Sequence, residues 1–179
     1  SLADSGQLDQ FNVTVFCEEP RLAYDRVYLS SYFTGATAED LAMGHIDVYQ
    51  NWGLNVLIGE AVTSIDRDTQ QVHTNKGTTL VYDKLVLATG SYPFVPPVPG
   101  HNREHCLVYR TIEDLEAIKA SASGAKVGVV VGGGLLGLEA AKAVKDLGLE
   151  THVVEFAPRL MAVQLDEGGG NLLRKKIED

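Results

Sequence analysis

Cysteine is almost absent: Cys17 and Cys106 are the 2 cysteines in 179 residues. They lie far apart with no C-x-x-C, which excludes a thioredoxin-like redox pair and a zinc ribbon. Two thiolates also fall short of the four-cysteine set that holds most iron–sulfur clusters. Cys17 closes an apolar segment and is expected to serve as a small buried hydrophobe. Positive charge is scarce as well, with 15 Lys and Arg against 24 Asp and Glu and a net charge of −9. That balance argues against non-specific binding to nucleic acid or to an anionic membrane surface, and ordinary solubility accounts for it. No apolar run approaches the length that spans a bilayer. The first residues, SLADSGQLDQ, lack the basic and apolar regions of a signal peptide, so a cytoplasmic location is expected. Internal repeats and low-complexity tracts are also missing. What is present, 45% hydrophobic and 22% charged residues, is the composition of a globular chain. Its length suits one medium domain or parts of two.

Local patterns predict an α/β chain. Val13–Cys17 alternates and is β-branched, which reads as a strand. Thr37 to about Trp52 reads as one helix, opened by Thr37 and Asp40 and carrying Leu41, His45, Val48, Tyr49 and Trp52 on one face. Gly44 weakens its middle, and His45 is expected at the edge of the core. Asn55–Ile58, Val62–Asp66, Gln71–Thr74 and Thr79–Tyr82 predict a small antiparallel β-meander. Lys84–Thr89 is nearly all apolar, the pattern of a strand buried on both faces, and ends at Gly90. Pro93, Pro96, Pro97 and Pro99 make a stiff extended connector, placing a domain boundary between about Pro96 and Arg110. Thr111 and Asp114 cap a helix bearing Ile112, Leu115 and Ile118. Gly168–Gly170 predicts a loop before a last basic helix, Asn171–Ile177.

Chemistry concentrates between Val127 and Glu155. An apolar strand, VGVVV, runs into Gly132-Gly133-Gly134-Leu135-Leu136-Gly137, then an Ala-rich helix, then the strand THVV and Glu155. A lone G-x-G-x-x-G is weak; strand, loop, helix and acid in register are much stronger. Gly132 supplies the tight turn, Gly134 lets backbone approach a pyrophosphate, and Gly137 is expected to let the helix pack closely on the sheet. The helix N-terminus offers free N–H groups and the positive end of its dipole to phosphate. Glu155 can accept from both ribose hydroxyls, and its charge opposes a 2′-phosphate, so NAD is favoured over NADP. Without a ligand the same residues would be a glycine-rich turn. One other pattern, His101-Asn-Arg-Glu104-His105, fits a zinc-protease H-x-x-E-H. It comes directly after Pro99-Gly100 with no helical periodicity, so a solvated loop is expected and no metal site. Ser30, Ser31 and His45 form no nucleophile elbow or triad.

The segment from Val13 to Phe33, VTVFCEEPRLAYDRVYLSSYF, together with LATGSYPFVPPVPG, VYRTIEDL and GGGLLGLEAA, resembles the two-dinucleotide-domain flavoprotein reductases. Within that class it is similar to the flavin region of the NADH-dependent assimilatory nitrite reductase large-subunit family, from about Asn12 onward. The resemblance implies Rossmann-like three-layer FAD- and NAD(P)-binding domains with a small antiparallel meander, truncated at both ends. Residues 1–105 would be a partial FAD-binding domain lacking its first strand and glycine loop, with Ser1–Gln10 the end of the helix after that loop. Residues 106–179 would be the first part of an NAD-binding domain.

The resemblance also assigns roles. Glu18 would hold the FAD adenosine ribose, while Glu19 beside it reads as a solvated acidic turn. Arg26 would lie by the FAD pyrophosphate, where a guanidinium fork suits phosphate oxygens. Val62 would meet adenine through its backbone, and Ala88, Thr89 and Gly90 form the signature where a strand end meets the cofactor. Arg110 would lie near FAD at the domain junction, or make a surface salt bridge. Glu139 would lie near the nicotinamide, or simply complement the helix dipole. Apart from Glu139, no side chain stands out as an essential acid or base. Where the class often has a lysine near the flavin, this chain has Ser31, which removes a positive charge.

The function so implied is part of an NADH-dependent oxidoreductase, passing electrons through FAD to iron–sulfur and siroheme centres elsewhere in the polypeptide that reduce nitrite to ammonia. Alternatives are a ferredoxin or rubredoxin reductase, an NADH oxidase, or a non-catalytic NAD-binding regulatory module. A homo-oligomer is compatible with all of them. Lacking the FAD glycine loop, the chain alone is expected to be inactive and to bind FAD poorly or not at all. Colourless purified protein is the expected result; a stoichiometric flavin spectrum would contradict it.

Overall fold

The structure is a computed structural model describing residues 5–178. Of the helix end expected over Ser1–Gln10, residues 1–4 lie outside the described residues, and Leu8–Gln10 is a single 3-10 turn. The chain forms two compact units. One comprises Ser1–Asp25 with Glu39–Gly90, the other Arg26–Ala38 with Ser91–Asp179. The proline-rich connector, from Ser91 onward, thus belongs to the second unit.

In the first unit, β1 (Thr14–Cys17) pairs in parallel with β2 (Asn55–Ile58), Thr14 opposite Asn55 and Cys17 opposite Ile58. β2 therefore stands apart from the meander to which its sequence pattern assigns it. The meander has three strands, β3 (Val62–Asp66), β4 (Gln71–Thr74) and β5 (Thr79–Val81), in antiparallel order. Its first turn is built by Asp66, whose Oδ1 accepts from the N–H groups of Asp68 and Thr69 at 2.9 and 3.1 Å, an Asx turn. Val72 is fully buried, and the Thr74 hydroxyl donates to the buried Glu60 at 2.7 Å, giving that carboxylate a partner.

The helix expected over Thr37–Trp52 is two short ones, α1 (Ala38–Leu41) and α2 (Ile46–Asn51). The cause is tertiary. Asp25 N–H donates to Leu41 O at 2.8 Å and Met43 N–H to Ala23 O at 3.0 Å, around an antiparallel bridge between Tyr24 and Ala42. Backbone groups spent on this pairing are withdrawn from a continuous helical ladder. His45 sits in the break, extended at φ −100° and exposed, rather than at the core edge.

Lys84–Thr89 is not the doubly buried strand its composition suggests. It carries no strand pairing, and Val86 is 85% exposed. Such a strand needs a hydrogen-bonded neighbour and cover on both faces. The parallel sheet described in this unit is β1 and β2, and neither pairs with 84–89.

The second unit is centred on a βαβ unit: β6 (Val127–Val131), α4 (Leu135–Asp146) and β7 (Glu150–Val154), with β6 and β7 parallel. α4 lies against β6 so closely that a Cβ on Gly128 would fall 2.3 Å from Val144 Cγ1. Gly128→Ala should therefore destabilise the chain by about 1–3 kcal/mol through overpacking, read from denaturant unfolding. Before it runs α3 (Ile112–Ala122), with Ile112 and Leu115 fully buried. Its expected capping box is present: Thr111 N–H donates to Asp114 Oδ2 at 2.8 Å, and Asp114 N–H to Thr111 Oγ1 at 3.2 Å. Thr111→Ala should cost about 1 kcal/mol of stability by the same measurement.

The glycine run is not a loop. It lies in the first turn of α5 (Glu167–Glu178). Asp166 accepts from Gly169 N–H at 2.8 Å, a side-chain cap for that turn. A Cβ on Gly170 would stand 3.1 Å from the Arg159 side chain and 3.2 Å from Leu160 O, so close packing favours glycine against its helix propensity. The fold is α/β, as the local patterns imply.

Candidate dinucleotide site

The glycine loop joins the end of β6 to the start of α4, beside the end of β7. Gly132 has φ +123°, open without strain only to glycine, and its N–H donates to Val154 O at 2.8 Å. Gly133 is buried. Its N–H donates to Glu155 Oε2, and its carbonyl accepts from Met161 N–H at 2.9 Å. A Cβ there would lie 2.6 Å from Leu160 Cδ2 and 3.1 Å from Glu155 Cβ. Gly137 sits under the loop, where a Cβ would be 2.0 Å from Gly132 O. Its job is thus to admit the loop's own carbonyl. The helix-to-sheet contact expected of Gly137 belongs to Gly128.

Gly134 differs from these three. It caps α4 at φ −84° and ψ −171°, a conformation any residue adopts, and a Cβ there would meet nothing within 4 Å. The protein's own packing does not require glycine at this position. A ligand brought against the backbone at the helix N-terminus would, where the first N–H groups have no intrahelical acceptor.

Glu155 comes directly after β7. Its Oε1 accepts from Ala157 N–H at 2.7 Å, and its Oε2 from Gly133 N–H. These two bonds, Ala157 first, hold its carboxyl below the ordinary range. A carboxylate offers about four acceptor positions, so it can still receive ribose hydroxyls. The linkage has a definite sign. A lowered folded pKa contributes stability above the unfolded value of 4.5, and that contribution is lost as pH falls through the folded value. The stability advantage of the chain over Glu155→Gln should therefore shrink on acidification below that value in paired thermal melts.

Beside the loop, other elements of this unit converge. Arg26 Nη1 donates to Arg110 O at 3.0 Å, bringing together two residues assigned to FAD. Phe33, in a 3-10 turn over Leu29–Thr34, stacks on Tyr109 with ring centroids 6.2 Å apart. Tyr109 is not legible as a site residue in the sequence, having only its place before Arg110 to mark it. Burial, and then the charge of Glu139, push its phenol up to about 12. Glu139 is half-buried one turn into α4 and lines a groove of about 400 Å³ with Ser30, Leu135, Leu138, Met161 and Leu173.

The remaining assigned residues lie in the first unit. Glu18 is exposed just past β1, Val62 is exposed at the start of β3, and Ala88, Thr89 and Gly90 are exposed, Gly90 at φ +68°. Glu19 is not a solvated turn residue: it is half-buried and accepts from the Tyr24 hydroxyl at 2.7 Å. Cys17 is half-buried, and burial together with the charge of Glu19, burial the larger, raises its thiol pKa. His101 and His105 lie in exposed turns, where His101 Nδ1 contacts Val98 O at 2.8 Å and His105 Nδ1 contacts Ser121 Oγ at 2.9 Å.

The model of the pyridine nucleotide-disulphide oxidoreductase family matches residues 2–179. The nitrite reductase (NADH) large subunit of Escherichia coli (strain K12) is 56% identical over 177 residues, covering 99% of this chain and 21% of that protein. The nitrite reductase [NAD(P)H] large subunit of Klebsiella oxytoca is 59% identical over 170 residues, covering 95% of this chain and 18% of that protein. The chain thus spans about a fifth of the length of these relatives. Among solved structures, the water-forming NADH oxidase from Lactobacillus brevis bound to NADH superposes with a TM-score of 0.87 at 26% identity, covering 99% of this chain and 40% of that one. With the family model spanning all but the first residue, glycine loop and βαβ unit included, the chain belongs to the pyridine nucleotide-disulphide oxidoreductase family.

Proposed function

We propose that this chain is the NADH-accepting part of a nitrite-reductase-type flavoprotein, the segment through which reducing equivalents enter. The observation that carries this reading is Gly134: a helix-capping glycine that no protein atom requires, at the N-terminus where a pyrophosphate would rest. Glu155 at the end of β7 would receive the adenosine ribose and disfavour NADPH. Glu139 would face the nicotinamide end. The identities above to nitrite reductase large subunits support that acceptor over a ferredoxin or rubredoxin reductase or an NADH oxidase.

For the flavin, Arg26 would lie by the FAD pyrophosphate and Arg110 near FAD. Glu18 would bind its adenosine ribose, Val62 would contact its adenine through backbone, and Ala88, Thr89 and Gly90 would bring backbone close to the cofactor. FAD, when bound, supplies hydride acceptance and release of single electrons; the protein's share is binding, orientation and exclusion of competing reactions. Iron–sulfur and siroheme centres would lie in other domains of the same polypeptide, since this chain has 2 cysteines far apart in sequence. Among the described residues no helix is long and apolar enough to cross a membrane, which is compatible with work in the cytoplasm on NADH.

The test is NADH oxidation by the full-length polypeptide containing this segment, with ferricyanide and then with nitrite as acceptor. Turnover with both is expected. Turnover with ferricyanide but no nitrite reduction would move the protein to the stand-alone reductases. Neither activity despite bound flavin would make it a regulatory NAD-binding module.

A further inference from the structure

The segment between β7 and α5 folds on itself and sends a hydrogen bond to the glycine loop. Half-buried Arg159 braces it: Nε donates to Leu165 O and Nη2 to Ala162 O, both at 3.1 Å. Met161 within it has φ +51°, a left-handed conformation that non-glycine residues seldom adopt. Its carbonyl accepts from Gln164 N–H at 2.9 Å and from Leu165 N–H at 2.8 Å. Its own N–H leaves the segment and donates to Gly133 O at 2.9 Å. A strained residue persists where its surroundings hold it, and such strain gathers where function needs a fixed geometry.

The bond to Gly133 fixes a direction. The Gly133–Gly134 peptide is trans, so its C=O and its N–H point to opposite sides. With the carbonyl drawn to Met161, the Gly134 N–H faces away from that segment, and Gly134 itself is exposed. The other flank of Gly133 is tied down as well, its N–H donating to Glu155 Oε2. A flipped peptide would present a carbonyl oxygen instead, which repels phosphate. We infer that Met161, held left-handed by the Arg159 brace, orients the Gly133–Gly134 peptide so that the Gly134 N–H meets the coenzyme's pyrophosphate. Met161 and Arg159 are then positioning residues, acting through the backbone they hold, and the loop is set before the ligand arrives. The inference rests on the reading of the glycine loop as an NADH site.

The test uses the unequal tolerance of side chains for that backbone conformation. Valine is apolar like methionine but β-branched, and it resists the left-handed region; asparagine is polar and enters it readily. Calorimetric titration with NADH should show affinity reduced about three- to tenfold by Met161→Val, since the N–H is misaimed rather than removed. Met161→Asn should stay within about twofold of the parent. Arg159→Lys keeps the charge but not the fork that spans two carbonyls, and should lose affinity as the valine variant does. If Met161→Val does not fold, Met161→Asn and Arg159→Lys decide between them. Asparagine binding more weakly than valine, or as weakly, would give the role to the methionine side chain and overturn the inference. Parent-like affinity in Arg159→Lys would also overturn it, leaving the NADH site itself standing. Failure of the parent chain to bind NADH would overturn the NADH reading and this inference with it.

Discussion

Replacing Gly134 by alanine should abolish tight NADH binding while leaving the fold nearly intact. The added methyl meets no protein atom within 4 Å and the backbone is already in a region that alanine adopts. The fold therefore loses no more than about 1 kcal/mol, the difference between glycine and alanine as helix caps. The methyl would instead occupy space that a pyrophosphate must enter to reach the backbone N–H groups. Affinity for NADH should fall by about 100-fold or more, corresponding to roughly 2.7 kcal/mol. The neighbouring change, Gly137→Ala, should behave in the opposite way. Its methyl would stand 2.0 Å from Gly132 O, a backbone atom with nowhere to go, so stability and binding fall together. Calorimetry and unfolding curves on the two variants separate a glycine kept for a ligand from one kept for packing.

The second large effect concerns the choice of coenzyme. Wild-type chain should bind NADH at least about 100-fold more tightly than NADPH, because the 2′-phosphate brings negative charge against Glu155. Glu155→Gln should shrink that ratio to within about tenfold. The ratio is the quantity to watch, since absolute NADH affinity should also drop. Glu155 accepts from Ala157 and Gly133 with its two oxygens, and an amide keeps one acceptor oxygen for the pair. Coenzyme selection and loop geometry thus share one carboxylate. A ratio unchanged by the substitution would show that another group reads the 2′-position.

The β6–α4–β7 unit is legible in the sequence because its signals are local: a β-branched strand, glycines at a turn, an Ala-rich helix and an acid after the next strand. The Thr111–Asp114 capping box is legible for the same reason. The break at 42–45 is not, because bonds from residues 23–25 make it, and no pattern within 37–52 reports them. The apolar run 84–89 misleads because composition records a preference for burial and not whether neighbours are there to provide it. Glycines 168–170 mislead because intrinsic propensity opposes a helix that the Asp166 cap and the contact at Arg159 favour. At the site, residue types are visible in the sequence but their division of labour is not. Gly128, Gly133, Gly134 and Gly137 look alike in sequence, and the atoms around each position distinguish them. Tyr109 lies outside any periodicity, and its buried hydroxyl, without a hydrogen-bond partner among the described residues, is a fact of packing.

NADH binding at the glycine loop is tested most directly by titrating the chain with NADH and following its backbone amides by NMR. Saturable shifts centred on Gly133, Gly134, Leu135 and Ala157, weaker with NADPH, are expected. Absence of saturation, or shifts confined to the surroundings of Glu18 and Val62 in the first unit, would contradict it.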